Sequence, residues 1–368
     1  MTSVRSNQNS PTFTPHLETD QYIIRLWDEI SWAAVQENAS DIHIEAQDHC
    51  CVIRFRVHGD LYLFKKYPKI DHSRLIARIK ILARLDIAEQ RLPQDGRLII
   101  QHHNPSSIQI DCRVSSIPTL YGEKIVIRLL NTSTEELNID QIGFTDLQIK
   151  TVKESLQRKS GLILVCGPTG SGKTRTLYSF LQFLNQPHLN LCSIEDPIEI
   201  RMKGVNQVAY HPKAGLNFGL IIRALLRQDP DVMLIGEIRD HDTAALAITA
   251  AQTGHLVLST IHTRNAISCI ERLRNLGIES HSIAESILFI SSQRLVKDIR
   301  DLKNPKRLAI HEILVFNQIL RTAVQKDLDF DELELIAKKD GFVSMQENAQ
   351  LLVDACAIDD ESIKYEIS

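Results

Sequence analysis

The chain has 368 residues, of which 43% are hydrophobic and 24% are charged. At roughly 150 residues per domain, this length predicts about two to three domains, and the composition excludes a disordered chain or a small disulfide-bonded scaffold. The formal net charge of −4 excludes a protein whose whole surface is basic enough to bind nucleic acid without specificity.

Residues 1–130 predict a small α+β domain behind a flexible amino terminus, which we place at residues 1–18. Helical spacing of apolar residues begins at Gln21 and returns at about residues 71–88. Period-two alternation and short apolar runs predict strands at residues 41–45, 52–57, 98–101, 108–114 and 124–129. We assign residues 19–130 to this domain and residues 131–145 to a linker.

From residue 146 the pattern changes to alternating strands and helices. Apolar runs predict strands at Leu162–Cys166, Asn190–Ile194, Asp231–Ile235 and His255–Thr260, and the intervening segments have helical spacing. Short apolar strands separated by helices predict an α/β fold with a mostly parallel sheet covered on both faces, which we assign to residues 146–296. Past Gly277 helical spacing dominates, apart from a strand at Leu308–Leu314. We therefore expect a mainly helical carboxyl-terminal subdomain over residues 297–368.

The cysteines and the apolar runs indicate the compartment. Seven cysteines are scattered without a C-x-x-C pair, which is typical of a reducing cytosol and provides no zinc module. No apolar run approaches the roughly 20 residues of a membrane span, and the amino terminus lacks the apolar core of a signal peptide. We therefore expect a cytoplasmic protein that contacts membranes only through its partners.

The strongest functional signal is a complete G-x-x-x-x-G-K-[ST] motif between a predicted strand and a predicted helix. The backbone N–H groups of such a loop, with the positive end of the following helix, bind phosphates. Lys173 is expected to reach the β- and γ-phosphates of ATP, and the Thr174 hydroxyl to bind Mg²⁺. This context disfavours the alternative, a glycine-rich turn that binds nothing. The motif consists of Gly167, Pro168, Thr169, Gly170, Ser171, Gly172, Lys173 and Thr174.

Hydrolysis of ATP also needs one carboxylate near the metal and another that orients the attacking water. Glu195 stands at the carboxyl end of a predicted strand, where open α/β sheets gather their ligand-binding residues. Glu237 follows the apolar strand DVMLI, as in a Walker B motif, with Gly236 in the place usually held by aspartate. The alternative is that both glutamates are ordinary acids at strand ends.

Two histidines and two arginines complete the candidate site. His255 and His262 bracket one predicted strand of the sheet, which is compatible with a γ-phosphate sensor or with two structural histidines. Arg97 and Arg113 lie in the small domain and are candidates for donors to the transferring phosphoryl group, in the manner of arginine fingers. The alternative for each is a solvated surface charge.

Taken in order, these motifs resemble the secretion superfamily ATPases of the GspE/PilB type, the motors of type II secretion, type IV pilus assembly and competence pseudopili. The resemblance extends from about residue 21 to the carboxyl terminus. In such proteins a glycine before the Walker B glutamate is the norm, which accounts for Gly236. The matching blocks are ASDIHIE, IRFRVHGDL, RLPQDGR, SSIPTLYGEKIVIRLL, GPTGSGKT, SIEDPIEI, RALLRQDPDVMLIGEIRD, AAQTGHLVLSTIHT and SSQRLV.

The resemblance implies a small PAS-like α+β domain joined to a RecA-like ATPase domain, assembled as a homohexamer. Such a ring uses ATP and Mg²⁺ to drive an inner-membrane platform protein and other assembly-machine subunits, at the cytoplasmic face of the membrane and without a specific nucleic acid. The resemblance implies that Lys173, Thr174 and Glu237 bind phosphate and metal and that Glu195 activates the attacking water. It also implies that His255 and His262 sense the nucleotide and that Arg97 and Arg113 clamp ATP.

Two departures from the family limit what is carried over. Many assembly ATPases have a four-cysteine zinc module after the QRLV block, where this chain has no cysteines, so no zinc is expected. Longer members also have an extra amino-terminal domain that docks to membrane partners, and we expect none here. A pilus retraction motor, an ATP-binding regulatory subunit without turnover and a RecA-like DNA translocase or helicase remain as alternatives. The GEIRD, SSIPTLYGEKIVIRLL and QRLV blocks favour the assembly branch.

Overall fold

The tertiary contacts divide the chain into two units, with the break between Thr132 and Ser133. The computed structural model describes residues 15–57, 59–102, 108–130, 137–210, 215, 217–300 and 307–359, with 361, 363, 364 and 367 near the carboxyl terminus. Most of the predicted flexible amino terminus and the first part of the predicted linker lie outside these residues.

The amino-terminal unit is a six-stranded antiparallel sheet with two helices against one face. Its elements are α1 (Pro15–Gln36), β1 (Asp41–Ala46), β2 (Cys50–Val57), β3 (Asp60–Pro68), α2 (Lys69–Ala83), β4 (Gln94–His102), β5 (Ile108–Thr119) and β6 (Gly122–Leu130). The strand order is β3-β2-β1-β6-β5-β4. The predicted α+β composition is confirmed, but β3 is absent from the predicted strands. The helix α2 ends earlier than predicted, since Arg84 has the left-handed φ of 57° that is typical of helix ends.

Alternate residues of β1 and β2 divide between the two faces of this sheet. Ile42, Ile44 and Phe55 have no exposed surface and pack with the two helices in one core. The residues that alternate with them are polar or charged, and Arg54 donates to the Glu45 carboxylate at 2.7 Å. The face without helices is therefore a charged surface, as the period-two pattern predicts.

The carboxyl-terminal unit is a seven-stranded sheet with helices on both faces. A short 3₁₀ turn (Ile139–Gln141) precedes α3 (Asp146–Leu156), β7 (Gly161–Cys166), α4 (Lys173–Leu184), β8 (Leu191–Glu195), β9 (Val205–Ala209), α5 (Phe218–Leu225), β10 (Val232–Ile235), α6 (His241–Gln252), β11 (Leu256–Ile261), α7 (Ile267–Asn275), α8 (Ser280–Ser286), β12 (Ile287–Lys297), β13 (Arg307–Val315), α9 (Gln318–Gln325), α10 (Phe330–Lys339) and α11 (Met345–Asp354). The strand order is β13-β12-β7-β11-β10-β8-β9, and all neighbours are parallel except β12 and β13.

Burial on both faces of this sheet explains why β7 is an unbroken apolar run. All six of its residues are buried. Leu162 and Leu164 belong to the core formed with α6 and α7, whereas Ile163 and Val165 belong to the core formed with α3 and α4. Phe144, from the predicted linker, packs into this second core. The predicted α/β architecture with two covered faces is confirmed.

The strand β12 corrects the expectation of helix past Gly277. It has 11 residues and pairs with β7 on one side and with β13 on the other. A short apolar run is compatible with a buried helix or a buried strand, and the sequence period alone does not decide between them. The edge strand β9 is likewise absent from the predicted elements. The strand predicted at Leu308–Leu314 is confirmed as β13, and helices follow it as predicted.

A buried carboxylate on β13 joins two helices to the sheet. Glu312 is 2% exposed, and its two oxygens accept the backbone N–H groups of Ala266 at 2.6 Å and of Met345 at 2.8 Å. Ala266 precedes α7 and Met345 begins α11, so the carboxylate lies at the positive ends of both helices. Burial raises the pKa of Glu312, and the two backbone hydrogen bonds oppose this shift.

Replacing this carboxylate tests whether it holds the two helices. Glu312→Gln keeps the shape but sets an amide N–H₂ against one of the two backbone N–H groups, so we expect the free energy of unfolding to fall by about 1–3 kcal/mol. The control is Glu334→Gln, because Glu334 pairs with Lys338 at 2.9 Å on a largely exposed turn of α10 and is expected to contribute less than about 0.5 kcal/mol. Denaturant unfolding measures both, and equal effects contradict the assignment.

Candidate nucleotide-binding site

Four parallel strands of the carboxyl-terminal unit end at the same edge of the sheet. The phosphate loop follows β7, Glu195 ends β8, Glu237 follows β10 after one intervening glycine, and His262 follows β11. Open α/β sheets bind their ligands at the carboxyl ends of the strands. The fold therefore brings four of the predicted motifs to the edge where a nucleotide binds.

The phosphate loop has the backbone that its glycines predict. Gly167, Gly170 and Gly172 have φ angles of 143°, 81° and 90°, which other residues rarely adopt. A Cβ at Gly167 would lie only 2.5 Å from the carbonyl oxygen of Gln293, so the loop passes too close to β12 for a side chain. The helix α4 begins at Lys173 without a side-chain cap, which leaves its first N–H groups to bind an anion.

Lys173 and Ser171 are the buried polar side chains of the phosphate-loop motif. The Lys173 ammonium donates to the carbonyl oxygens of Gly167 and Pro168, both at 2.9 Å. Burial lowers the pKa of Lys173, and the negative charge of Glu237 opposes this shift. Within the described part of the chain, the buried Ser171 hydroxyl has no hydrogen-bond partner. A buried hydroxyl without a partner, inside a loop of N–H donors, fits a phosphate oxygen.

Glu237 stands between a guanidinium and an imidazole. Arg239 pairs with one of its oxygens, and His262 Nε2 lies 3.6 Å from the other. Burial and the charge of Lys173 lower the pKa of His262, against the opposing effect of Glu237, so this ring is neutral at neutral pH. Mg²⁺ usually takes one or two protein oxygens and completes its shell with water and phosphate, and the oxygens of Thr174 and Glu237 fit that requirement.

Glu195 lies at the predicted strand end, in a buried hydrogen-bond network. One oxygen accepts from Ser193 Oγ at 2.6 Å and from Gln207 Nε2 at 3.1 Å, and the other accepts from the Tyr178 hydroxyl. Burial raises the pKa of Glu195, and these hydrogen bonds oppose the shift. The residue is 4% exposed. A carboxylate whose two oxygens already accept three side-chain bonds is better placed to hold structure than to bind a water molecule.

Glu199 is a carboxylate absent from the residues that the sequence predicts for the site. It is exposed, and its negative charge acts on buried Lys173 together with that of Glu237. The Tyr178 hydroxyl, which donates to Glu195, accepts the backbone N–H groups of Glu199 and of the next residue, both at 3.3 Å. The buried pair thus anchors the segment that carries Glu199. The signal in the sequence is the second glutamate of IEDPIE, beyond the proline that ends the strand.

His255 lies at the opposite end of β11 from His262. Its carbonyl oxygen accepts the N–H of Gly161, the first residue of β7, at 3.1 Å, and its ring Nδ1 lies 3.0 Å from the carbonyl oxygen of Ala250. At about 3.3 Å per residue, the strand separates the two histidines by about 20 Å. The structure brings His262, and not His255, to the edge that carries the phosphate loop.

Arg97 and Arg113 are direct neighbours in the sheet of the amino-terminal unit. The register of β4 and β5 sets them opposite each other, and the register of β5 and β6 sets Arg128 opposite Arg113. Residues opposite each other share a face, so the three form a row. Beside this row, Asp41 accepts from Arg128 Nε at 3.0 Å. The structure therefore brings the two predicted arginines together and adds a third.

Comparison with known proteins identifies the family. The family model for type II/IV secretion system proteins matches residues 16–359. This chain belongs to that family. It is 47% identical over 282 residues to the protein transport protein HofB homolog of Haemophilus influenzae, and this match covers 77% of this chain and 60% of that protein. It is 43% identical over 296 residues to the type IV pilus assembly ATPase PilB of Acinetobacter baylyi, and this match covers 79% of this chain and 51% of that protein.

The chain thus spans between about half and three-fifths of the length of these two type II/IV secretion family relatives. The crystal structure of the pilus retraction motor PilT with bound ADP superposes with a TM-score of 0.70 at 26% identity, over 91% of this chain and 95% of that one. The resemblance to GspE/PilB-type ATPases and the RecA-like fold are therefore confirmed. Among the described residues, no helix is both long and apolar enough to cross a membrane.

The two glutamates of the IEDPIE segment are distinguished by their expected effects on turnover. Glu199→Gln removes an exposed carboxylate and is expected to lower kcat for ATP about 100-fold or more while leaving nucleotide affinity within a few-fold, as for a group that orients water. Glu195→Gln retains the bond from Tyr178 and is expected to lower thermal stability more than kcat. Steady-state kinetics and melting curves compare them. A stable Glu195→Gln enzyme as inactive as Glu199→Gln contradicts the assignment.

Proposed function

We propose that this chain is an ATP-hydrolysing motor, working as a homohexamer, that powers assembly of a type IV pilus or of a type II secretion pseudopilus. The observation that carries the proposal is the meeting of the phosphate loop, Glu237 and His262 at one sheet edge, in a member of the type II/IV secretion family. The identity of 43% to the pilus assembly ATPase PilB supports the assembly role.

The proposed chemistry begins with the γ-phosphate. The phosphate loop and Lys173 hold the β- and γ-phosphates of ATP. Thr174 and Glu237 hold Mg²⁺, which when bound neutralises charge on the transferred phosphoryl group. Glu199 orients the attacking water, and buried Glu195 keeps the Glu199 segment in place through Tyr178. These assignments give the exposed carboxylate the chemical role and the buried one a positioning role.

His262 is the proposed sensor of the γ-phosphate, because it lies against Glu237 and its pKa responds to both Lys173 and the Gly167 carbonyl. Its partner in the predicted pair, His255, is assigned a structural role at the far edge of the sheet. Arg97 and Arg113 are the proposed donors to the phosphates of ATP bound in the ring. Guanidinium groups suit this task because they are planar, permanently charged donors.

The proposed partners are an inner-membrane platform protein and other subunits of the assembly machine, which the chain reaches from the cytoplasmic face of the membrane. ATP turnover changes the arrangement of the two units, and that motion is passed to the platform protein. No specific nucleic acid is proposed, since the net charge of −4 provides no general attraction for phosphate backbones. No zinc is part of the proposal.

A retraction motor is the second candidate. The likeness to PilT, with a TM-score of 0.70, favours it, whereas the identity of 26% to PilT is lower than that of 43% to PilB. Cells without this chain decide between the two roles. Loss of surface filaments supports assembly, and an excess of filaments supports retraction.

ATP turnover by the purified chain tests the site itself. Lys173→Ala removes the phosphate-binding ammonium and Glu237→Gln removes a metal-binding carboxylate, so each is expected to lower ATPase activity by at least about 100-fold. We expect the wild-type rate to rise with platform protein in nanodiscs and not with double-stranded DNA. Turnover within a few-fold of wild type in either variant contradicts the site, and stimulation by DNA alone supports a translocase.

Arg97→Ala tests the arginine row. We expect ATP affinity to change less than about threefold while kcat falls by about 10-fold or more, because an arginine finger acts mainly on the charge that develops in the transition state. Arg113→Ala is expected to act in the same direction, and Arg25→Ala, on exposed α1 surface, serves as the control. Unchanged rates in both row variants show that these arginines are ordinary surface charges.

A further inference from the structure

Gln293 on β12 lies directly behind the phosphate loop. The register pairs Ser292 of β12 with Cys166 of β7, so Gln293 comes next at the point where Gly167 begins the loop. Gln293 is 2% exposed. Its side-chain oxygen accepts the hydroxyl of Thr176, which has no exposed surface, at 2.7 Å. Thr176 stands three residues after Lys173 in the first turn of α4, so this bond joins β12 to the helix that begins the phosphate site.

The same residue touches both ends of the loop. A Cβ at Gly167 would lie 2.5 Å from the Gln293 carbonyl oxygen, and a Cβ at Gly172 would lie 2.8 Å from its side-chain Nε2. Gly167 and Gly172 are therefore packed against one residue, at the first and last glycines of the motif. The carbonyl oxygen is itself fixed, because it accepts from Arg294 Nη1 at 3.1 Å. That guanidinium also donates to the Arg264 carbonyl at 2.6 Å, two residues after the candidate sensor histidine.

We propose that Gln293 is a positioning residue of the nucleotide site, which sets the shape of the phosphate loop by fixing its first glycine, its last glycine and the first turn of α4. A glutamine suits this place because one side chain offers an acceptor to Thr176 and an amide N–H₂ to the loop. A phosphate loop binds through several N–H groups at once, so a small change in its curvature weakens all of these bonds together. This inference rests on the proposed function only in taking ATP as the ligand.

Adding a charge at position 293 tests the proposal, because loss of packing alone does not produce the expected effect of a charge on nucleotide affinity. Gln293→Glu retains the acceptor for Thr176 but places a carboxylate where the amide borders the loop. Gln293→Ala removes both interactions without adding charge. We expect ATP and ADP to bind about 3- to 10-fold more weakly to the alanine variant, the effect of the one lost hydrogen bond from Thr176. The glutamate variant is expected to lose about a further 10-fold, because a carboxylate at this buried position repels the phosphates and salt screens that repulsion only weakly.

Two controls separate this role from general stability. Ser291 lies on β12 two residues before Gln293, and Ser291→Ala removes a buried hydroxyl that lies 3.3 Å from the ring of His311 on β13. It is expected to lower the melting temperature without changing nucleotide affinity. Thr176→Val removes the donor to Gln293, and its effect on affinity is expected to be much less than additive with that of Gln293→Ala.

The experiment measures equilibrium binding of a fluorescent ADP analogue to the full-length chain and its variants, together with their melting temperatures. The inference holds if affinity falls in the order wild type, Gln293→Ala, Gln293→Glu while Ser291→Ala binds as wild type. It is overturned if the three Gln293 forms bind alike, or if affinity follows melting temperature across all variants, Ser291→Ala included. Failure of the proposed function is a different result, because the wild-type chain then fails to hydrolyse ATP, whether or not it binds adenine nucleotide.

Discussion

The buried ammonium of Lys173 is the charge on which the carboxyl-terminal unit depends. An ammonium taken out of water is costly unless oxygens surround it, and here the loop carbonyls supply them while Glu237 adds a negative charge nearby. The strand order of the sheet brings these groups close to the Lys173 ammonium. Because β7, β11 and β10 are adjacent and parallel, their carboxyl ends place the loop, Glu237 and His262 side by side.

The antiparallel pair of β12 and β13 supports that site from behind. Gln293, near the middle of β12, packs against the loop and is paired in register with His311 of β13, which is followed by buried Glu312. Glu312 in turn holds the starts of α7 and α11. The loop is therefore connected to the carboxyl-terminal helices by neighbouring groups that are nearly all buried and hydrogen-bonded.

The sequence predicts the phosphate loop more fully than any other part of the site. The loop binds phosphate through the backbone N–H groups of consecutive residues, so a short local motif is enough to identify it. The sequence also predicts Glu237, since an acid directly after a buried apolar strand is typical of a metal-binding carboxylate at a sheet edge. It selects Glu195 as the carboxylate that orients water and does not single out Glu199. Which of two nearby carboxylates is buried depends on Tyr178 and Gln207, both of which are distant in sequence. The strand β12 is missed for a similar reason, because its conformation is set by β7 and β13.

The arginine row in the amino-terminal unit shows how a local violation of packing rules points to function. Like charges directly opposite each other destabilise an antiparallel pair, yet Arg97, Arg113 and Arg128 occupy successive places across three strands. Asp41 bonds Arg128 at one end of the row, and the Arg97 end is exposed. Under the proposed role of Arg97 and Arg113 as donors to ATP, a bound polyphosphate would offset part of this repulsion and make the row a set of convergent donors. In that proposal nucleotide would stabilise this surface of the sheet, as expected for any ligand that binds the folded state and not the unfolded one.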